Sequence, residues 1–95
     1  MIEPLQSITL NVPYDLSDED WQKVATVYRT LDGWIGDPPS WYGRYGDARY
    51  IEASVEPSGL LFDGRVEPEL WTGWVTVLCA RLSLALGREV YDACM

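Results

Sequence analysis

The sequence predicts a single α+β domain, and three observations lead to this prediction. Residues 7–14 and 49–56 alternate apolar and polar side chains, as half-buried β-strands do. Two longer segments place apolar residues three and four positions apart, which is the spacing of helices with a buried face. The chain of 95 residues is too short to build a second hydrophobic core, so we expect one domain spanning residues 1–95.

The first strand, residues 7–14, is predicted to end near Pro13, because proline cannot donate a hydrogen bond to a β-ladder. Ser17 is then a predicted helix N-cap, and the three acidic residues after it favour the positive end of the helix dipole. We expect this first helix to end at Gly33 or Gly36. Its buried face is predicted to consist of Trp21, Val24, Ala25, Tyr28, Leu31 and Ile35.

The middle of the chain predicts a β-hairpin. Residues 49–56 form its first strand, with Ile51 and the alternate residues after it on the buried face. Pro57 and Gly59 occupy the second and fourth positions of a type I turn. The apolar run at residues 60–62 has no polar alternate, so it suits an interior strand.

The helix predicted from Pro68 to Gly87 is the dominant element, because its apolar residues cover more than one stripe of its surface. Proline suits the first turn, where its missing N–H is no loss, and glycine suits the stop. The remaining polar stripe is narrow and consists of Thr72, Thr76, Cys79 and Ser83. Such small residues allow another helix or a partner backbone to approach closely. Long loops that cover the excess apolar surface are the open alternative.

A short last strand at residues 88–93 completes the order strand, helix, strand, strand, helix, strand. With right-handed crossovers, this order most simply gives a ferredoxin-like βαββαβ two-layer sandwich. It consists of an antiparallel sheet with two helices on one face, and with the first and third strands at its centre. The alternative is a dimeric α+β barrel, in which the sheets of two such units pack face to face.

The charge balance excludes several classes of partner. Seven basic residues face fifteen acidic ones, which gives a formal net charge of −8. Affinity for nucleic acids comes largely from Lys and Arg, so we expect no binding to DNA or RNA, and none to an anionic membrane surface. The same charge favours association with a basic protein.

The sequence also predicts a cytoplasmic location. The longest apolar stretch, residues 70–86, is shorter than the roughly 20 residues of a membrane helix and contains Arg81. The N-terminus lacks the basic and apolar regions of a signal peptide. Cys79 and Cys94 do not form a disulfide framework, so both are predicted to be free thiols in a reducing compartment.

Catalytic and metal-binding patterns are missing from the sequence. The chain has no histidine, which removes the commonest general base and metal ligand. Glu52 and Glu56 would lie about 13 Å apart on one strand, beyond the roughly 9.5 Å reach of paired glycosidase carboxylates. We therefore predict a non-enzymatic protein without a metal site or cofactor.

The loop at residues 37–47 is the strongest candidate for a contact surface. It shows no helical or strand periodicity, except for a short edge strand expected around Trp41 and Tyr42. Its aromatic and arginine residues are of the types enriched at interface hot spots. The chain has five tryptophans, and two left outside the core would expose on the order of 400 Å². A structural role, with Trp41 and Tyr42 covering the open end of the core, is the alternative.

The sequence thus predicts a small acidic protein-binding domain, with an inhibitor that acts by occlusion as the leading hypothesis. Bacterial toxin-immunity proteins are one such class, and the analogy rests on size and charge. The partner is expected to have a basic surface. The predicted contact residues are Trp41, Tyr42, Arg44, Tyr45, Asp37, Asp47, Glu52 and Glu56.

Two alternatives stay open. One is a small-molecule-binding or enzymatic dimeric α+β barrel domain, whose cavity would be lined by Tyr14, Trp21, Tyr28 and Trp74. The other is a structural subunit of a larger assembly, a homodimer included.

Overall fold

A computed structural model shows the fold and describes residues 3–93. The elements in chain order are β1 (Gln6–Leu10), α1 (Asp18–Thr30), β2 (Trp34–Gly36), β3 (Ser40–Trp41), β4 (Tyr50–Glu56), β5 (Gly59–Arg65) and α2 (Pro68–Leu86). The strands form one antiparallel sheet in the order β1-β5-β4-β3-β2. The predicted α+β class is confirmed, whereas the ferredoxin-like strand order is not.

The sheet departs from the predicted order at both of its edges. After α1, the chain forms an additional hairpin of β2 and β3, so that β3 lies inside the sheet rather than at its edge. At the other edge, the strand predicted at residues 88–93 is reduced to one bridge between Leu10 and Asp92. The side chain of Asn11 partly replaces that strand, since its Oδ1 accepts from the backbone N–H of Tyr91 at 2.7 Å.

The core lies between one face of the sheet and both helices. Leu10, Leu60 and Phe62 belong to this face, and the register places Ala53 opposite Phe62. The buried residues of α1 and α2 join the same cluster, from Val24 to Leu31 and from Trp71 to Leu82. The opposite face of the sheet is covered by neither helix, because both helices contribute to this one cluster.

Trp41 is the central residue of this core and is fully buried. Its ring centroid lies 4.8 Å from that of Trp74 and 5.1 Å from that of Tyr28. Its indole Nε1 donates to the backbone oxygen of Tyr28 at 3.0 Å. Trp41 is therefore a core residue, and the expectation that it forms part of a contact surface is wrong.

The end of α1 is stabilised by side chains from distant parts of the chain. The last carbonyls of a helix lack intrahelical partners. Besides the indole of Trp41, Arg81 Nη1 donates to the oxygen of Thr30 at 2.8 Å, and just beyond the helix Trp74 Nε1 donates to the oxygen of Asp32 at 3.2 Å. Because these tertiary contacts stop the helix at Thr30, α1 ends before the glycine predicted to stop it.

Several local predictions are confirmed. Ser17 is the N-cap of α1, and its hydroxyl oxygen accepts from the N–H of Asp20. Pro68 starts α2, and Gly87 ends it in the left-handed conformation with φ of +66°. The predicted hairpin joins β4 to β5, and β5 is an interior strand.

Three residues predicted on buried faces are instead exposed. Tyr14 lies beyond the end of β1, and Ile35 belongs to β2 rather than to α1. Val55 is on the helix-covered side of β4, but it lines the open groove between α1 and the end of this strand and is 51% exposed. The periodicity of the sequence predicts which side of a strand or helix a residue faces. It does not predict where that strand or helix ends, or whether another element covers the residue.

Gly59 has a conformation and surroundings that require glycine. Its φ is +138°, and a Cβ built there would collide with the backbone oxygen of Leu10. The β4–β5 hairpin therefore comes close to the end of β1 only because residue 59 has no side chain.

We expect Gly59→Ala to lower the free energy of unfolding by about 3 kcal/mol, since it combines backbone strain with a clash against a carbonyl. Urea denaturation followed by tryptophan fluorescence measures this. Ser58→Ala, in the same exposed turn, is the control and should change stability by less than about 0.5 kcal/mol. Equal stability of the two variants would contradict this account of the hairpin.

Candidate functional site

The residues predicted to form one contact surface are distributed over five locations. Trp41 lies in the core, as described above. Tyr42 is half-buried at the side of the sheet, where its hydroxyl donates to Asp32 Oδ2 at 2.7 Å. The guanidinium of Arg49 lies 5.5 Å from the centroid of the Tyr42 ring, and Arg49 also pairs with Glu67 at 3.2 Å. Tyr42 thus has intramolecular partners on both its ring and its hydroxyl.

Arg44 and Asp47 stabilise the loop itself. Arg44 Nη1 donates to the backbone oxygen of Pro38 at 2.9 Å and to Ser40 Oγ at 3.1 Å, and thereby ties the loop to the turn between β2 and β3. Asp47 Oδ2 accepts from the backbone N–H of Arg44 at 2.7 Å, which closes a tight turn. Both side chains are exposed, but these hydrogen bonds already give them a structural role.

Tyr45, Glu52 and Glu56 lie on the side of the sheet that the helices leave uncovered. We call this surface the open face. On the named strands it includes Ser7, Thr9, Ser40, Tyr50, Glu52, Ser54, Glu56, Leu61, Asp63 and Arg65, which follows from the strand register and the alternation of side chains.

Tyr45 is the most exposed aromatic residue of the open face. Its ring is 75% exposed and packs edge to face on Tyr50, with 5.7 Å between the ring centroids. Tyr50 beneath it is buried. Tyr45 also borders a shallow depression that includes Leu5 and Arg65, and Leu5 is itself exposed. One end of the open face therefore presents apolar and aromatic surface to solvent.

The centre of the open face places two carboxylates directly opposite each other. The register of β4 and β5 pairs Glu52 with Asp63. Neither residue belongs to an ion pair among residues 3–93. Like charges directly opposite in an antiparallel sheet destabilise it. This is the one pair of like charges in the strand register of residues 3–93.

The charged groups of this face act on the pKa of the buried phenol of Tyr50. Burial, and then the charge of Glu52, raise the pKa of Tyr50 above its ordinary value. Arg65 on the same face acts in the opposite direction on this pKa, but its Nη1 donates to the backbone oxygen of Glu3 at 3.0 Å. Arg65 therefore offsets only part of the acidic character.

Asp37, the last of the predicted residues, lies apart from the open face, on the rim of a groove of about 330 Å³. The groove runs between α1 and the end of β4, and its walls include Trp21, Tyr28, Trp34 and Val55. Two of the four residues predicted to line a ligand cavity are thus present. Tyr14 is exposed elsewhere, and Trp74 lines a different groove next to Tyr42.

The tryptophans are not in excess of what the fold can bury. Trp41, Trp71 and Trp74 are buried, whereas Trp21 and Trp34 are half-buried in the walls of the groove. The exposed aromatic rings are tyrosines: Tyr14, Tyr45 and Tyr91. The expectation of a surplus of exposed indole surface is therefore wrong.

Within residues 3–93, no group of three or more His, Cys, Asp or Glu side chains has an arrangement that would hold a metal ion. Burial, and then the charge of Asp92, raise the pKa of Cys79, so this thiol stays protonated at neutral pH. Cys94 lies outside the described residues. No helix in the described part of the chain has the length and apolar character needed to cross a membrane.

Sequence reasoning missed Asp63 as the partner of Glu52, although a signal for it was present. The two-residue loop Pro57-Ser58 pairs Glu56 with Gly59, and counting outward from this pair places Glu52 opposite Asp63. Trp34 and Val55 of the groove carried no comparable signal, because the packing of α1 against the sheet brings them together.

Comparison of the chain with protein-family models, with curated proteins and with solved structures finds no match. The functional assignment therefore depends on the geometry described above.

We expect Trp41→Ala to reduce the free energy of unfolding by about 3–5 kcal/mol, because it removes the centre of the core. Tyr45→Ala should reduce it by less than about 1 kcal/mol, since the ring is mostly exposed and loses one aromatic contact. Chemical denaturation of both variants gives these values. Similar losses of unfolding free energy in the two variants would contradict the placement of Trp41 at the centre of the core.

We expect stability to fall as pH rises above about 10, the ordinary pKa of tyrosine in the unfolded chain. Burial, then the hydrogen bond and charge of Asp32, raise the pKa of Tyr42, and burial raises the pKa of Tyr28. Both phenols thus hold their proton more tightly when folded, a contribution that is complete below pH 10 and lost above it.

The measurement is the melting temperature of the protein and of Tyr42→Phe between neutral pH and about pH 11. Because phenylalanine does not ionise, the decrease should be shallower in the variant, although its stability at neutral pH should be lower by about 1 kcal/mol. Parallel curves for the two proteins would contradict the assignment of the raised pKa to Tyr42.

Proposed function

We propose that this protein is a small acidic protein-binding domain without catalytic activity, and that its open face binds a basic surface of another protein. The observation that carries this proposal is the Glu52–Asp63 pair on an uncovered sheet face, next to the exposed ring of Tyr45. The pair costs the isolated fold roughly 0.2–1 kcal/mol. A basic partner would convert this repulsion into two favourable contacts.

The open face combines the two features that a protein interface of this kind needs. Its carboxylates, with the net charge of −8 behind them, would attract a basic partner over a distance and increase the association rate. Tyr45 and Leu5 add apolar area at one end, where a partner would remove them from water. Glu56 extends the acidic surface towards the hairpin.

Inhibition by occlusion is the form of this function that we favour, by analogy with bacterial toxin-immunity proteins. A domain without histidine has few means of catalysis, but an acidic face of this kind suits the covering of a basic active site. A cytoplasmic location belongs to the same proposal, and the free thiol of Cys79 is in keeping with it.

A ferredoxin-like core remains our proposal for the fold. The neighbours β1, β5 and β4, with Asp92 bridging to Leu10 beyond β1, support it. The backbone N–H of Ala93 also donates to Thr9 at 2.8 Å. In this description, the hairpin of β2 and β3 is an addition after α1.

Binding of a small molecule is the second candidate, and the groove between α1 and β4 supports it. Its volume of about 330 Å³ is at the lower end of the range of ligand pockets. Arg29 and Asp37 supply charged groups at its rim. The barrel form of this alternative is less favourable, because face-to-face packing of two sheets would bring the carboxylates of two open faces together.

The test is affinity purification from the organism of origin, with three baits. Glu52→Gln with Asp63→Asn should lose most of a basic protein that the unchanged chain captures, and should be more stable by roughly 0.2–1 kcal/mol. Asp15→Asn with Asp18→Asn removes the same charge from exposed positions away from the open face, and should retain the partner.

Equal loss by both variants would contradict a role for the open face. Lower stability of Glu52→Gln with Asp63→Asn would contradict the repulsion on which the proposal depends. Capture of a partner that is not basic, or that is insensitive to salt, would exclude the electrostatic mechanism.

A further inference from the structure

The groove between α1 and the end of β4 contains a buried polar side chain without a hydrogen-bond partner. Tyr28 lines this groove and is only 7% exposed. The backbone oxygen of Tyr28 accepts from Trp41, but its hydroxyl takes part in no hydrogen bond among residues 3–93. Buried polar side chains normally have such a partner. The free hydroxyl therefore points to a group that the isolated chain does not supply.

The hydroxyl of Tyr28 opens into the groove. No fully enclosed side-chain nitrogen or oxygen in the described part of the chain lacks a hydrogen-bond partner. The hydroxyl lacks one, so it is reached from outside, and the groove is the opening that its ring borders. Burial raises the pKa of Tyr28, so this phenol keeps its proton at neutral pH and can both donate and accept. A ligand in the groove would meet this group at its inner end.

The walls of the groove are aromatic and are supported by the core. Trp21 of α1 and Trp34 of β2 line it, and both are half-buried. Trp34 packs edge to face on Trp41 with 5.5 Å between the ring centroids, and Tyr28 packs on the same indole at 5.1 Å. Because Trp41 is fully buried, these walls are formed before a ligand arrives, and binding requires little ordering of side chains. Such walls suit a flat aromatic ring.

The rim of the groove favours a positive group. Asp37 is exposed and belongs to no ion pair or hydrogen bond within residues 3–93. Arg29 is the other charged residue of the rim, but its Nη2 donates to Thr26 Oγ1 at 3.4 Å. Thr26 does not line this groove and borders depressions between α1 and α2, so the guanidinium is directed away from the groove. The carboxylate of Asp37, the faces of the indoles and the net charge of −8 would all attract a cation.

We propose that this groove binds an aromatic amine that carries a hydrogen-bonding substituent on its ring. The ring would lie against Trp21 and Trp34, the amino group would meet Asp37, and the ring substituent would bond to the hydroxyl of Tyr28. The volume of about 330 Å³ suits a molecule with one ring and a short chain. This inference rests on the second candidate function given above, for which it names the class of ligand, and it does not depend on the open face.

Four small probes test the ligand class on the full chain. Tyramine carries both the ammonium group and the phenol. Tyrosol has a hydroxyl and desaminotyrosine a carboxylate in place of the ammonium group, whereas phenethylamine lacks the phenol hydroxyl. We expect tyramine to bind with a Kd of about 1 mM or below. Tyrosol and phenethylamine should bind about three- to tenfold more weakly, and desaminotyrosine more weakly than tyrosol.

The measurement is an NMR titration of the isotopically labelled protein, followed at the indole N–H signals. Tyramine should shift the signals of Trp21 and Trp34, because both indoles line the groove. The signal of Trp71 should stay in place, since Trp71 lines none of the grooves described above.

Two variants assign the contacts. Tyr28→Phe should lower the affinity for tyramine about three- to tenfold and leave the affinity for phenethylamine unchanged, because phenethylamine has no hydroxyl to lose a partner. Asp37→Asn should lower the affinity for tyramine by up to about fivefold and leave that for tyrosol unchanged. Asp15→Asn makes the same charge change at an exposed position outside the groove and is the control, so it should leave both affinities unchanged.

Three outcomes would overturn the inference. Unshifted signals of Trp21 and Trp34 at about 10 mM tyramine would exclude an aromatic amine as the ligand. Binding of tyrosol or desaminotyrosine as tight as that of tyramine would retain the groove as a binding site and exclude the preference for a cation. An equal loss of affinity for tyramine and phenethylamine in Tyr28→Phe would show that the hydroxyl does not contact the ligand.

These outcomes do not decide the role of the open face. Its test changes Glu52 and Asp63, and neither of these residues lines the groove.

Discussion

The fold depends on the burial of Trp41 and on the hydrogen bond from its indole to the carbonyl of Tyr28. This one side chain comes from β3 and contacts rings of α1, β5 and α2. Its N–H donates to one of the last carbonyls of α1, that of Tyr28, which also accepts from the backbone N–H of Leu31 at 3.3 Å. This contact connects the end of α1 to the short β2–β3 hairpin.

A core built on this residue is one-sided, and this has a functional consequence. Both helices pack on the face of the sheet that includes Phe62 and Leu60, and neither helix covers the other face. Tyr50 of the open face is buried, but Glu52, Ser54 and Glu56 are at least partly accessible to solvent. The Glu52–Asp63 pair costs stability and yet lies at the centre of that face.

The parts of the fold that the sequence predicts are those specified by local chemistry. The Ser17 cap, the Pro68 start, the Gly87 stop and the tight turn after Glu56 each have a local cause, and each is found where it was expected. The β2–β3 hairpin has no such cause. Its strands contain three and two residues, too few for a period of two to be recognised.

The candidate site was less predictable, because burial is decided by contacts that are distant in sequence. Trp41 lies among glycines, prolines and tyrosines, a composition typical of an exposed loop, but its pairing with Ile51 carries it into the core. Tyr42, next to it, has a φ of +69° and points elsewhere, so that adjacent aromatic residues acquired different roles. Glu52, Glu56 and Tyr45 of the open face are among the contact residues predicted from the sequence, whereas the position of Asp63 opposite Glu52 required the hairpin register.

The most direct test of the central claim is NMR cross-saturation on the isotopically labelled protein, bound to a basic partner recovered with it. We predict that saturation transfers to the amides of β4, β5 and the segment around Tyr45, and not to those of α1 or α2. Transfer confined to the groove around Trp21 and Trp34, with β5 unaffected, would contradict the assignment of the open face as the binding surface.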